Sequence, residues 1–412
     1  MRGKVCKFLI VTWASLLSVS SFLPTLSAEA PMPAEARQAY DKGLIAAEQE
    51  AWNLAIGNFT EARKSAERHP RILYSLGLAH ARAGHEPAGI AWLKAYLAAA
   101  PGAPDAEAVR KEVARLESEA DANIRKIYEA ALSAAIQVPE REIRLTRLYN
   151  LAVSQMDAGY FQEFQKTRDE MCNAYPTPGK CDNVKGYFLW KNYIKYLADV
   201  GEYQKAGQLA DSIDELSQWL GADCIIIDSQ ISLGDCKAAS EKLSRFELRC
   251  NMMKSFAIDR IKKGQNPEND LRILTLYVSA MLNLSEAYAK NGQPEHYQRT
   301  LTAGDQLAEE YKLSPELRSE IAAALKKDPA GMKECPDLGR LDQVGEWIKL
   351  AGETSADRAA VDLKGRLQET KKETSSDKLS HGLKQVADDL AQRMKKIHAL
   401  AKRCELASSL KK

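Results

Sequence analysis

The sequence predicts an all-α protein built as a row of helical hairpins. Three observations carry this. Aromatic residues make up only 7% of the 412-residue chain, against 28% charged and 45% hydrophobic, a balance that suits amphipathic helices better than a sandwich or barrel. The run Gly201-Glu202-Tyr203-Gln204-Lys205-Ala206 follows a helical apolar face (Trp190, Tyr193, Ile194, Leu197) and opens another (Ala206, Leu209, Ala210, Ile213). It therefore reads as helix, tight glycine turn, helix. The same unit returns further on as Gly234-Asp235-Cys236-Lys237-Ala238-Ala239, and recurrence at such a spacing marks stacked supersecondary units.

Along the chain, residues 1–30 read as an export signal. Arg2, Lys4 and Lys7 form a basic start, Phe8 to Leu23 is apolar with interspersed serines, and Ala28-Glu29-Ala30 is a small-x-small cleavage pattern. Cleavage after Ala30 removes those three bases and Glu29, which takes the net charge from +2 to zero. A neutral chain offers no electrostatic case for nucleic acid. No later segment approaches the roughly 20 apolar residues that span a bilayer. The expected product is exported, periplasmic or extracellular.

Residues 31–312 carry the repeating unit. Further turns of the same kind are Ala83-Gly84-His85, Ala158-Gly159-Tyr160 and Asn291-Gly292-Gln293. An earlier copy has Gly43 in register with Gly77, and its second helix carries Ala55, Phe59 and Ala62; it has Glu50-Ala51-Trp52 where glycine is usual. Residues 105–140 are helical but match the unit poorly. The run Cys224-Ile225-Ile226-Ile227 looks like a strand, yet it falls where the register requires a helix. An insertion around Lys263 to Asp270 lengthens the fifth clear copy. Residues 313–340 begin with a helix capped by Ser314-Pro315-Glu316 and continue as a connector containing Pro329, Gly331, Pro336 and Gly339. Residues 341–412 form a C-terminal helical unit. Its last helix, from about Ser375, carries an apolar stripe of Leu383, Val386, Leu390, Ile397, Leu400 and Cys404, interrupted by Arg393. This helix is expected to cap the open end of the row, the alternative being a coiled-coil dimer seam.

The repeating segment resembles the tetratricopeptide repeat, an antiparallel helix pair of about 34 residues. Nine places before the turn glycine, where that family favours asparagine, stand Asn150, Asn192 and Asn283. At the leucine place stand Leu76, Leu151 and Leu284, and at the small-residue place Gly77, Ala152 and Ser285. The family's alanine after the turn matches Ala206 and Ala239, and its closing proline matches Pro101. Six copies are recognisable. The resemblance implies a right-handed α-solenoid whose first helices line a concave groove for a protein or peptide partner. The places that face such a groove hold Arg37, Tyr40, Arg71, Tyr74 and Tyr149, with a second patch of Phe188, Lys191 and Lys195. Tyrosine and arginine are common binding anchors. The alternative is that the tyrosines fill space between adjacent hairpins.

Catalytic signatures are absent from the sequence: no H-E-x-x-H, G-x-S-x-G, Walker A or G-x-G-x-x-G pattern. No metal or cofactor is expected, and His80 reads as a packed core histidine. The leading expectation is a non-enzymatic exported interaction scaffold. Alternatives are an enzyme or ligand-binding activity in 341–412, where His381 and His398 lie, and self-assembly through the last helix. Seven cysteines remain after cleavage, and an exported protein pairs some of them. Cys172 and Cys181 bracket a turn-rich loop and are expected to bond. Cys236 and Cys250 are a poor pair if one helix carries both, since fourteen residues rise about 21 Å.

Overall fold

The computed structural model describes residues 31–174, 187–213, 216–265, 267–356 and 375–410, with a few positions between 367 and 373. The expected signal, residues 1–30, lies outside them. Every extended element among the described residues is helical, so the protein is all-α. The helices are α1 (Ala34–Glu48), α2 (Trp52–Ser65), α3 (Pro70–Arg82), α4 (Glu86–Ala99), α5 (Ala106–Ile136), α6 (Arg141–Asp157), α7 (Phe161–Ala174) and α8 (Tyr187–Asp199). They continue as α9 (Tyr203–Asp211), α10 (Leu216–Leu233), α11 (Cys236–Lys262), α12 (Pro267–Lys290), α13 (Pro294–Glu310), α14 (Pro315–Ala324), α15 (Gln343–Ala356) and α16 (Ser376–Ser409). None of them is long and apolar enough to cross a membrane.

One turn chemistry joins the hairpins. Gly84, Gly159, Gly201, Gly234 and Gly292 all have φ between 78° and 86°. The amide after each glycine donates to a carbonyl five residues back, as in His85 to His80 (2.9 Å), Glu202 to Leu197 (2.8 Å) and Asp235 to Gln230 (2.8 Å). This is the Schellman ending, which satisfies orphan helix carbonyls and favours glycine because the left-handed backbone crowds a Cβ. The first hairpin makes the same bond, Ala51 to Ala46 at 2.9 Å, with Glu50 forced to φ 56° in place of glycine. Cys224–Ile227 sits inside α10, where packing overrides β-branched propensity. The stretch expected to be degenerate, 105–140, is mostly one 31-residue helix, α5. Of the insertion at Lys263–Asp270, Lys263 to Gln265 form the turn after α11 and Pro267 to Asp270 open α12; the two helices are 27 and 24 residues long.

Each helix packs on its hairpin partner, and α8 also packs on α6 and α10, and α10 on α12. The C-terminal segment departs from the expected arrangement. Ser314 caps α14 as expected, its side chain accepting from the Leu317 amide. The chain then turns back instead of ending the row. The amides of Glu334 and Cys335 donate to the Lys290 carbonyl at the end of α12 (2.9 and 3.0 Å). Cys335 is disulfide-bonded to Cys236, the first residue of α11. Leu338 lies over Gly234, and further on Lys402 lies over Gly201. Residues 333–340 are thus a strap along the hairpin turns, fastened by a covalent bond.

The strap delivers α15 onto α4 and α16 onto α5, with further contacts from α16 to α6. Leu383, Val386, Leu390, Ile397, Leu400 and Cys404 share one core with residues of α1 to α5 and α15. This corrects two expectations. The last helix does not cap the α13/α14 end, and its apolar stripe is covered within the chain, so it is not available as a dimer seam. Trp347, Ile348 and Ala351 of α15 belong to the same core. Arg393, which interrupts the stripe, is buried and donates to the Thr354 carbonyl in the last turn of α15 (3.1 Å). There it satisfies an acceptor that the helix itself leaves open.

Candidate functional site

The expected groove residues fall into three groups. Tyr40 and Tyr74 are half-buried packing residues. The Tyr40 ring lies 5.4 Å from Phe59, and its hydroxyl is 3.1 Å from Ser75 Oγ on α3. The Tyr74 ring lies 5.4 Å from Tyr96, and burial, then the nearby Asp105 carboxylate, pushes its hydroxyl pKa up. These half-buried rings pack between neighbouring helices. Arg37 and Arg71 are exposed beside them. The physical reason is size: small residues at Gly43 and Gly77 leave the second helix close, and a tyrosine one turn away spans the remaining gap.

The second group lies on α6 and α8. Tyr149 is 48% exposed. Lys191 is half-buried, while Lys195 is exposed and pairs with Asp199 at 3.0 Å. The third group lies outside the described residues: the Phe188 side chain and Cys181. Cys172 is disulfide-bonded.

Helices α6 and α16 enclose a cleft of about 270 Å³. Arg147, Asn150, Ser154 and Asp157 line it from α6, and His381, Lys384, Asp388 and Gln392 from α16. Its walls are cross-linked by polar contacts. Asp388 accepts from Tyr128 on α5 (3.0 Å), from Lys384 (2.7 Å) and from Ser154. Arg147 donates to Asp377 (3.0 Å), and its other nitrogen lies 3.4 Å from His381 Nδ1.

Two carboxylates organise the charge. Asp157 ends α6 and Asp199 ends α8, where the helix dipole disfavours an acid. Burial raises the pKa of Asp157; Lys395 works against that rise and Asp388 adds to it. For Asp199 burial also works upward, but hydrogen bonds from Lys395 and Ser229 outweigh it and hold the carboxyl low. Lys395 Nζ reaches Asp199 at 2.8 Å. Two acids placed against their helix dipoles are a signal legible in the sequence that a cation comes from elsewhere in the chain. Lys395 of α16 is that cation.

The histidines do not meet here. His381 and His398 share α16, and seventeen residues rise about 26 Å; His398 is half-buried, and burial holds its pKa down. His80 is buried against α15, its Nε2 3.3 Å from Ser355 Oγ. Burial, then the adjacent His85, lowers its pKa to about 3. Among the described residues no cluster of three or more His, Cys, Asp or Glu side chains is arranged to hold a metal ion.

The cleft is lined mostly by polar residues and crossed by fixed ion pairs, with Asn150 and Gln392 exposed on its two walls. Such a surface offers donors and acceptors to a segment that itself carries both, as an extended peptide does. No protein-family model matches the chain, and no curated protein matches it.

Proposed function

We propose that the chain is an exported interaction scaffold of tetratricopeptide-like hairpins, arranged as a solenoid, that binds a peptide or protein partner. The contact region in this reading is the cleft between α6 and α16, with the exposed Asn150 and Gln392 on its two walls. It is not the Tyr40–Tyr74 side, where the tyrosines are consumed by packing. The observation that supports it most is the cleft's construction. Its ion pairs Lys384–Asp388 and Arg147–Asp377 are already made inside the protein. A partner therefore meets pre-oriented polar groups and little ordering cost.

The test is capture of the native partner from envelope material by the tagged mature chain. Asn150→Ala with Gln392→Ala should reduce capture by tenfold or more and leave the melting temperature unchanged, since both side chains line the cleft and are exposed. Capture at the parental level would remove the cleft from the reading. A photo-crosslinker at position 150 should join the same partner, and one at Leu410 should not.

A further inference from the structure

A second surface lies on the long hairpin, away from the cleft. Helix α11 buries Ala239, Leu243, Phe246, Cys250 and Ala257. It leaves Leu248, Met252 and Phe256 exposed at 63%, 66% and 59%. Three large apolar side chains in a row on a helix face are costly to leave in water unless something covers them. The residues around them follow a symmetric pattern. Counting from Met252, the positions four away are Leu248 and Phe256, seven away Arg245 and Asp259, eleven away Glu241 and Lys263. At 3.6 residues per turn all of them fall within about 40° of Met252, on one stripe. All are exposed.

The chemistry of the pattern is self-complementary. Laid antiparallel against a copy of itself, with Met252 on Met252, the stripe sets Leu248 against Phe256. It sets Arg245 against Asp259 and Glu241 against Lys263, opposite charges at both steps. A parallel alignment would instead put each charge against its like. Glu241 and Arg245 make no ion pair within the chain among the described residues. Asp259 and Lys263 pair with each other at 2.6 Å, so in the dimer each end becomes a four-charge cluster. Arg260, the next base along, is held out of the seam by Asp270 (3.1 and 3.2 Å). Opposite charges flanking an apolar seam set register and orientation in helix pairs.

We infer that α11 is the two-fold interface of a homodimer, its partner the same helix of a second copy running antiparallel about Met252. The seam spans about 33 Å, 22 residues at 1.5 Å each. A single helix–helix seam of that length is at the small end of specific interfaces, so association is reversible and concentration-dependent. The proposal is independent of the cleft, which lies on α6 and α16.

Sedimentation of the full mature chain over a range from about 1 to 200 µM tests it, a span suited to weak interfaces. The mass should rise from one chain to two. Met252→Glu should weaken association at least tenfold with an unchanged helical signal, because the site is exposed. Arg245→Glu should weaken it as well, and Arg245→Glu with Asp259→Arg should restore it. Register is read by mild oxidation. Met252→Cys should link to itself, while Leu248→Cys should link to Phe256→Cys in a mixture and poorly to itself. A chain that stays monomeric throughout overturns the inference, as does a dimer indifferent to Met252→Glu. A monomer that binds vesicles of three parts phosphatidylcholine to one part phosphatidylserine through Met252 also overturns it, and assigns the stripe to a lipid surface.

Discussion

Hairpin α3/α4 is covered on three sides, whereas hairpin α11/α12 keeps a long face in solvent. Both end their first helix with the same glycine turn. Around α3/α4 lie α2, α5 and α15. Helix α4 is apolar almost all round, with Pro87 to Leu93 buried without a break. A helix of that kind needs neighbours on every side, and the chain supplies the last one, α15, from the far end of the sequence. Helix α11 has a buried stripe and a second, exposed one, and among the described residues no later helix covers that second stripe. The same local unit thus leads to a core element or to a free face. What differs is whether a helix carried beyond the strap comes back over it.

The largest effect that separates the two regions is loss of the strap's fastening. Cys236 and Cys335 close a loop of 99 residues, for which chain entropy gives about 4–5 kcal/mol. Cys236→Ser with Cys335→Ser should therefore lower the urea midpoint substantially and expose α15 and α16 to proteolysis first. An unchanged midpoint would mean that the fastening contributes nothing to stability.

Next is a pair of truncations. Ile397 of α16 is fully buried against the α4/α5 side. Ile397→Ala should cost about 2–5 kcal/mol. Phe256→Ala on α11 removes a larger side chain and should cost no more than about 0.5 kcal/mol when measured on the dilute monomer. Equal costs would abolish the contrast between the regions.

Of the two hairpins, α3/α4 is the one that carries a buried histidine, His80, and with it a pH dependence. His80 is neutral in the folded protein, with its pKa lowered to about 3, while an unfolded histidine protonates near pH 6.5. Between those values the unfolded chain binds more protons. Stability is thus complete above about pH 6.5 and falls as the pH drops, by up to about 1.4 kcal/mol per unit. Urea melts at pH 7 and pH 5 should differ by about 2 kcal/mol from this group, and His80→Gln should remove that share. A parental slope in the variant would assign it to other groups.

The smallest effect compares two glycines. Gly234 has φ +86°, and a Cβ there would lie 2.6 Å from Leu338 Cγ of the strap. Gly264, at the tip of α11/α12, has φ +66° and nothing within 4 Å. Alanine at either site carries the left-handed cost of about 1 kcal/mol. Gly234→Ala should cost about 1 kcal/mol more, because Leu338 must move. Equal melting temperatures for the two variants would show that Leu338 does not press on the turn.

How much of this the sequence could disclose follows from the range of each interaction. The helices, the glycine turns and the Ser314 cap depend on neighbours within a few residues, and they were readable. The all-round apolar character of α4 was also present, and it called for a helix such as α15, but it did not say which one. The Cys236–Cys335 bond joins positions whose separation carries no local signal, so the connector read as a simple exit. Tyr40 and Tyr74 show a different limit. A side chain that recurs once per hairpin can face outward or into the next hairpin, and periodicity is the same in both cases. Of the expected groove residues, Tyr149 lies on α6, one wall of the cleft, while Lys191 and Lys195 lie on α8, which does not line it. Asp157 and Asp199 were legible only as acids at unfavourable helix ends, with their cation, Lys395, near the opposite end of the chain.

The returning helix also sets the order in which the molecule is completed. Contacts such as Tyr128 with Asp388 and His80 with Ser355 join residues 260 and 275 apart. A row of hairpins alone makes mainly local contacts and folds quickly. Here the flank of α5 stays uncovered until the last helix, 34 residues long, has emerged from whatever delivers the chain. During that interval the first third of the molecule presents a ready-made apolar trough. The final helix is a late-arriving insert, and closing its long loop is the slow, entropically opposed step. A nascent chain stopped before residue 376 would hold an acceptor for its own missing helix, and an excess of the isolated 376–409 peptide would be its natural ligand.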